Sequence, residues 1–151
     1  MISFKEFIIE IFDQSPYNFN KEETNYFRTH KYNFSSPHDN YTVFFNHYKK
    51  HAETHFRSHE GGTKRSNAEG KNASKVFSTV HHIIKHHLNN NPHIQTLGFA
   101  ANRYRGEKNS NRINLYRHMI KKLTNSSGNE TNTGNGLGWQ VNRKDIKGLE
   151  K

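Results

Sequence analysis

Cysteine is absent from the sequence, so neither a disulfide nor a thiolate nucleophile or ligand can contribute to the structure or its chemistry. Long apolar runs are absent too, and residues 1–13 contain acids and no small-residue cleavage site. The chain is therefore expected to have no membrane span, no signal peptide and no membrane partner. Its predicted location is the cytoplasm.

Apolar residues are scarce, at 30% of the chain, and the mean hydropathy is −1.09. Aromatic residues compensate, because each of the eleven Phe and seven Tyr can bury a large area. At 151 residues the chain is long enough for one domain with a core and little more. We expect a single α+β domain over residues 1–142, with an aromatic core and a polar surface, followed by a charged, exposed tail over residues 143–151.

Acidic residues are outnumbered: 13 Asp and Glu stand against 23 Lys and Arg, which gives a formal net charge of +10. Such a balance favours polyanionic partners or phosphate-bearing ligands. The basic residues are dispersed along the chain, without a block of five Lys or Arg. Since the charge is not clustered, nucleic-acid binding is kept as an alternative function rather than the main one.

The most regular pattern lies at residues 73–90, where apolar residues recur at the three- and four-residue spacing of one helical face. The stripe consists of Val76, Phe77, Val80, Ile83, Ile84 and Leu88. It predicts an amphipathic helix that ends before Pro92, because the residue preceding a proline is driven out of the helical region. Residues 94–101 follow as an uncharged, buried strand, and residues 110–123 as a second amphipathic helix.

The rest of the chain has the pattern of a sheet. Three segments rich in β-forming residues predict antiparallel strands: residues 25–34, 41–48 and 52–58. Residues 137–141 predict a final strand, and residues 2–13 a further amphipathic helix with a capping box. We therefore expect a mixed, mostly antiparallel twisted sheet with two to three packed helices, and flexible loops at residues 60–72 and 124–136.

Histidine is abundant, with twelve in the chain, and four lie on the long predicted helix: His81, His82, His86 and His87. His82 and His86 have the i, i+4 spacing that can chelate a divalent metal. The glutamate that a metalloprotease carries beside the first histidine is missing, and no carboxylate cluster completes a site. We therefore expect solvated histidines and no metal. A serine triad is excluded as well, because no serine lies in a nucleophile elbow.

The loop before the long helix is a candidate phosphate site. Gly70 and Lys71 stand at the predicted helix N-terminus, where backbone N–H groups and the helix dipole attract anions. A flexible surface loop explains the same residues equally well, because the strict phosphate-loop pattern is absent. Both interpretations stay open at this point.

The order of these elements resembles the GNAT-type N-acyltransferase fold. Residues that match are Asn109, Leu115 and Tyr116 around the second helix, and Gly70 with Ala73 at the start of the first. The resemblance covers residues 25–142 in topology. It implies transfer of an acyl group from acetyl-CoA or another acyl-CoA to an amine on a small molecule or a protein, or a catalytically degenerate relative that keeps the fold.

The resemblance also implies roles for particular residues. The N-terminus of the long helix would hold the CoA pyrophosphate, and the strand backbone near Leu97 and Phe99 would polarise the acyl carbonyl. Tyr116 would protonate the departing thiolate, unless it is simply a core aromatic. The implied cofactor-binding residues are Gly70, Lys71, Asn72, Ala73, Ser74, Leu97, Phe99 and Asn109. Three residues are candidates for a general base, and the sequence does not separate them: Glu53, His55 and Glu60.

A second resemblance rests on residues 2–8, 76–80 and 112–116, which are similar to short uncharacterised proteins of tailed bacteriophages. It carries no activity with it. It implies a location in the host cytoplasm or the virion. It also adds a third alternative, a structural or accessory protein that acts by protein–protein contact.

Overall fold

A computed structural model of the chain describes most of the residues. The described ranges are 15–24, 28–37, 39–59, 71–102, 111–125, 128–132 and 136–150. The predicted helix at residues 2–13 lies outside them. So does the predicted loop at residues 60–72, except for its last two residues, which are helical.

The described strands form one seven-stranded sheet in the order β1-β2-β3-β4-β5-β7-β6. Their bounds are β1 Phe19–Glu22, β2 Thr29–Ser35, β3 Asn40–Tyr48, β4 His51–Ser58, β5 Thr96–Asn102, β6 Asn129–Asn132 and β7 Gly136–Asn142. Every neighbouring pair is antiparallel except β4 and β5, which are parallel. The prediction of a single α+β domain with a mixed, mostly antiparallel sheet is confirmed.

Two helices connect the strands in the described part of the chain. Helix α1 spans Lys71–Asn90 and joins β4 to β5, and helix α2 spans Asn111–Thr124 and follows β5. Both were predicted within two residues, because their apolar stripes are long and regular. Neither helix is long and apolar enough to cross a membrane.

Strands β1 and β6 were not predicted, and β6 falls inside the segment 124–136 that was expected to be a loop. Both are four-residue edge strands of largely exposed polar residues. An edge strand is held by backbone hydrogen bonds to a single neighbour, so it needs no alternating apolar pattern. The loop prediction is therefore wrong for Asn129–Asn132.

The predicted charged tail is partly structural. A short 3-10 helix spans Arg143–Asp145, and the next residue, Ile146, is buried. The Arg143 guanidinium donates hydrogen bonds to the carbonyl oxygens of Leu88, Asn91 and Ile94, at 2.8–3.2 Å. It thereby ties the tail to the end of α1 and to the turn that follows it. The prediction of an exposed tail is wrong for Arg143 and Ile146, because composition does not reveal which charged residue finds a partner.

The core lies between one face of the sheet and the two helices, and it is rich in aromatic residues, as predicted. Seven rings follow one another with centroids 5.1–6.2 Å apart, in the order Tyr17, Phe34, Tyr41, Phe56, Phe77, Tyr116 and Trp139. The aliphatic stripe of α1 packs beside them, with Val76, Ile83 and Ile84 fully buried. The opposite face of the sheet carries mainly polar residues.

Candidate active site

The parallel strands β4 and β5 separate towards their carboxyl ends. Their pairing runs from His51↔Thr96 to Thr54↔Phe99 and stops there. Strand β4 continues along β3 as far as Ser58, and β5 continues along β7 as far as Asn102. Beyond the last paired rung, β4 and β5 therefore make no ladder bonds to each other, and we call this stretch the split.

The N-terminus of α1 lies at the same edge of the sheet as this split. The helix leaves from the carboxyl end of β4 and returns to the amino end of β5, and the Phe77 ring near its start lies 6.0 Å from the Phe56 ring of β4. Four predicted cofactor-binding residues form its first turn: Lys71, Asn72, Ala73 and Ser74. No acid lies in that turn, so its positive dipole end is uncompensated there. Gly70 and Asn109 are outside the described residues.

Leu97 and Phe99 are placed just before the split. Both side chains are buried in the core, and their backbones pair with Ala52 and Thr54 of β4. The first β5 residue past the pairing is Ala100. Sequence reasoning thus located the right strand, but the backbone groups that face the split begin one residue later.

Thr54 marks the last paired rung on the helix side of the sheet. Its side chain is buried, and its hydroxyl has no hydrogen-bond partner within the part of the chain that the structure describes. A buried hydroxyl without a partner is costly, typically by about 1–3 kcal/mol. A polar group entering the split would relieve that cost. Sequence reasoning missed Thr54, since only the strand register shows where pairing ends.

Tyr116 is buried in the aromatic row. Its ring is edge-on to Phe77 at 6.1 Å and stacks on Trp139 at 6.1 Å with an interplanar angle of 9°. Since Phe77 contacts β4 through Phe56, and Trp139 lies on β7 next to β5, this part of the row crosses the helix side of the split. Tyr116 is therefore a core aromatic by burial, and its ring lies on the helix side of the split.

The other face of the sheet carries a hydrogen-bonded relay at the apex of the split. Glu53 Oε1 lies 2.6 Å from His51 Nε2, and His51 Nδ1 lies 2.6 Å from the Thr96 hydroxyl. The side chains of Glu53 and His51 are 40% and 28% exposed, so both are reachable from solvent. The Glu53 carboxylate sits directly over Gly98, where an added Cβ would come within 2.6 Å of its Oε2.

The position of the relay distinguishes between the three candidates for the general base. Glu53 is one rung before the split and is held by His51. His55 is exposed on the same face two residues further on, and Glu60 is outside the described residues. Glu53 is thus the candidate that the fold places beside the last paired rung between β4 and β5. The sequence could not show this, because Gly98 and Thr96 come to Glu53 only through the parallel pairing.

A second hydrogen-bonded histidine group lies in the core. His87 Nδ1 is 2.7 Å from the Tyr32 hydroxyl, His87 Nε2 is 2.7 Å from His47 Nε2, and the His87 ring stacks on Phe45 at 4.0 Å. Burial raises the pKa of Tyr32 to about 12, so its hydroxyl stays protonated. The Asn91 amide nitrogen, 3.3 Å from His87 Nδ1, can only donate, which makes Nδ1 the acceptor. The His87 proton then sits on Nε2 and points at His47.

Burial keeps these imidazoles neutral. Burial first, and neighbouring histidines and Lys21 to a smaller extent, lower the pKa of His87 to about 2 and that of His47 to about 4. Burial likewise lowers the pKa of His81 to about 3. The prediction of solvated helix histidines holds for His82 and His86, which are exposed, and is wrong for His81 and His87. Among the described residues, no three histidine or acidic side chains converge so as to hold a metal.

Comparisons with models of protein families, with curated proteins and with solved structures find no match for this chain. Its function is therefore inferred from the residues and geometry described above.

Proposed function

We propose that the protein is an acyl-CoA-dependent N-acyltransferase with a GNAT-like fold. The observation that carries the proposal is the split between the parallel strands β4 and β5, with the N-terminus of a long helix at the same edge. The order of strands and helices along the chain agrees with the fold that the sequence resembles. The split supplies a slot, and the helix supplies an anion site beside it.

The donor fits this slot by its chemistry. The pantetheine arm of CoA is an extended chain with two amides, and it can add, as an extra strand would, along the parts of β4 and β5 that lie beyond their pairing with each other. Its pyrophosphate would then reach the backbone N–H groups of the first turn of α1. The net charge of +10 favours the approach of such an anion.

The transfer would use both faces of the sheet. Glu53 takes a proton from the acceptor amine, whose nitrogen attacks the acyl carbon. The C–S bond then breaks, and the Tyr116 hydroxyl protonates the departing thiolate from the helix side. His51 fixes the Glu53 carboxylate through its 2.6 Å hydrogen bond. The Thr54 hydroxyl and the backbone N–H groups past the last rung are the available donors for the acyl oxygen.

The first experiment is titration of the protein with acetyl-CoA and with free CoA, followed by calorimetry and thermal denaturation at low and moderate salt. Ligand at a hundred times its Kd should stabilise the fold by about 2.7 kcal/mol. Turnover is followed by release of the CoA thiol with a thiol reagent, and the absence of cysteine removes any background from the protein.

Tyr116→Phe should lower turnover at least tenfold with little change in the melting temperature, because only a hydroxyl is removed. Tyr17→Phe is the matched control, since Tyr17 stands at the opposite end of the aromatic row, stacked on Phe34 of β2, and its turnover should equal that of the wild type. Absence of CoA binding at low salt would refute the proposed function. Tight, salt-sensitive binding of an oligonucleotide in its place would favour the nucleic-acid alternative.

A further inference from the structure

Two cations share one aromatic ring on the open face of the sheet. Lys31 Nζ lies 5.5 Å from the centroid of the Phe44 ring, and the Arg57 guanidinium carbon lies 4.9 Å from it. Lys31 and Phe44 are half-buried, whereas Arg57 is exposed. The ring attracts both cations, but it does not neutralise either one. Both positive charges lie on the patch of the open face around this ring, and an anion is favoured there.

This pair of cations lies near the relay. Phe44 is in register with His55 of β4, and Glu53 is two residues before His55 on the same face. Two residues along a strand span about 6.7 Å and neighbouring strands are about 4.8 Å apart, which places the Phe44 position about 8 Å from Glu53. The described acids on this face are Glu53 and Glu22. Glu22 is in register with Lys31, and its carboxylate accepts a hydrogen bond from the Asn33 amide.

We infer that the acceptor is a zwitterionic molecule, an amine that also carries a carboxylate or a phosphate about 8 Å away. The amine meets Glu53, and the anionic group binds between Arg57 and Lys31. This inference rests on the proposed acyl transfer. It excludes polyamines and lysine-rich peptides as preferred acceptors, because their second positive charge would face the two cations.

The reaction needs no further reactant. The amine nitrogen bonds to the acyl carbon, the C–S bond of the thioester breaks, Glu53 takes the amine proton, and CoA leaves as the thiol. The anionic group takes no part in these steps and serves only to place the amine. Its effect should therefore appear mainly in the KM for the acceptor.

Three six-carbon amines test the inference at constant acetyl-CoA, with thiol release as the readout. 6-Aminohexanoate carries the anion roughly 8 Å from the amine when extended, hexylamine carries no second charge, and 1,6-diaminohexane carries a positive one. We expect kcat/KM to be at least tenfold higher for 6-aminohexanoate than for hexylamine, and lowest for 1,6-diaminohexane. 6-Aminohexyl phosphate, tested in parallel, separates a phosphate from a carboxylate preference.

Arg57→Gln should reduce the preference for 6-aminohexanoate over hexylamine to about twofold or less, through the KM for 6-aminohexanoate. Lys144→Gln is the matched control, because Lys144 is exposed and lies on the 3-10 helix. It should keep the full preference. Since Arg57 is exposed, its replacement is compatible with folding, and a melting curve verifies this.

The outcomes separate the two proposals. Equal kcat/KM for the three amines, with transfer intact, overturns the zwitterion inference and leaves the proposed function standing. Absence of transfer with every amine refutes the proposed function, and calorimetry with 6-aminohexanoate alone then tests the anion site: binding lost in Arg57→Gln supports it, and no binding overturns it. Binding of an oligonucleotide that depends on Arg57, without binding of 6-aminohexanoate, also overturns the inference in favour of nucleic acid.

Discussion

Two histidines on either side of one tight turn lie on opposite faces of the sheet. His47 ends up in the core and His51 on the open face, although only the turn at Lys49, whose φ is +56°, and its neighbours separate them. His47 is hydrogen-bonded to another neutral ring, whereas His51 is hydrogen-bonded to a carboxylate and a hydroxyl. The surroundings of His47 are histidines and Lys21, without an acid among the groups that shift its pKa.

The difference shows that the surroundings of a histidine decide whether its ring serves in packing or in chemistry. A buried imidazole without a carboxylate is an aromatic ring that must stay neutral. A half-exposed imidazole beside a carboxylate is able to exchange protons with solvent and substrate. A change of pH or a substitution should therefore affect the buried histidines and the His51 site to very different extents.

The largest effect should come from acid. His47, His81 and His87 have folded pKa values of about 4, 3 and 2, below the ordinary 6.5, so the unfolded chain binds their protons first as the pH falls. Their contribution is complete above pH 6.5 and is lost below it, at up to about 1.4 kcal/mol per pH unit for each residue. Urea unfolding at pH 7.5, 6.0, 5.0 and 4.5 should show a steep loss of the free energy of unfolding. A flat profile from pH 7.5 to 5 would contradict the neutral buried cluster.

Replacement of single histidines should give the next largest difference in the free energy of unfolding. His87→Ala opens a cavity beside Phe45 and leaves the Tyr32 hydroxyl without its partner, at a cost of about 3–4 kcal/mol. His51→Ala should cost less than about 1 kcal/mol, because water can replace its contacts. Chemical denaturation at pH 7.5 measures both.

His87→Phe keeps the ring and is the variant to use if His87→Ala does not fold. It should unfold with a shallower pH dependence than the wild type, because one of the titrating groups is gone. Similar costs for His87→Ala and His51→Ala would remove the distinction between the two groups.

The smallest effect on stability should come from Gly98→Ala. The added Cβ would displace the Glu53 carboxylate, which is the half-exposed end of a flexible side chain, so the cost should stay below about 1 kcal/mol. Transfer should nevertheless fall severalfold, because Glu53 leaves His51. In the Glu53→Ala background, Gly98→Ala should have no further effect on turnover, and a full additional loss there would mean that Gly98 acts through another contact.

The sequence predicted the elements that bury a regular apolar face. Helix α1 and strand β5 are of this kind, whereas the edge strands β1 and β6 bury little and gave no pattern. Position 87 did carry a signal, because it falls between Ile84 and Leu88 on the apolar stripe of α1. A histidine at such a position is expected to be buried, which its spacing shows and the composition of the helix does not.

The candidate site was predicted only in part. The first turn of α1 and Tyr116 were proposed because the chain resembles an acyltransferase fold, and their roles stay predictions. The contacts of Glu53 with Thr96 and Gly98 join segments far apart in the chain, so no local pattern contains them. The end of pairing at Thr54 is likewise a property of two strands together, and one strand's sequence does not specify it.

The hydrogen bond between His51 and Thr96 has a consequence for how the molecule is assembled. It joins residues 45 positions apart, and the four paired rungs beside it are the only pairing between β4 and β5. Strands β1 to β4 follow one another closely in the chain, so their pairing closes only short loops. The pairing of β4 with β5 closes a much longer loop, which contains α1. The side chains that would handle a proton thus also join the two parts of the sheet whose pairing spans the greatest distance along the chain.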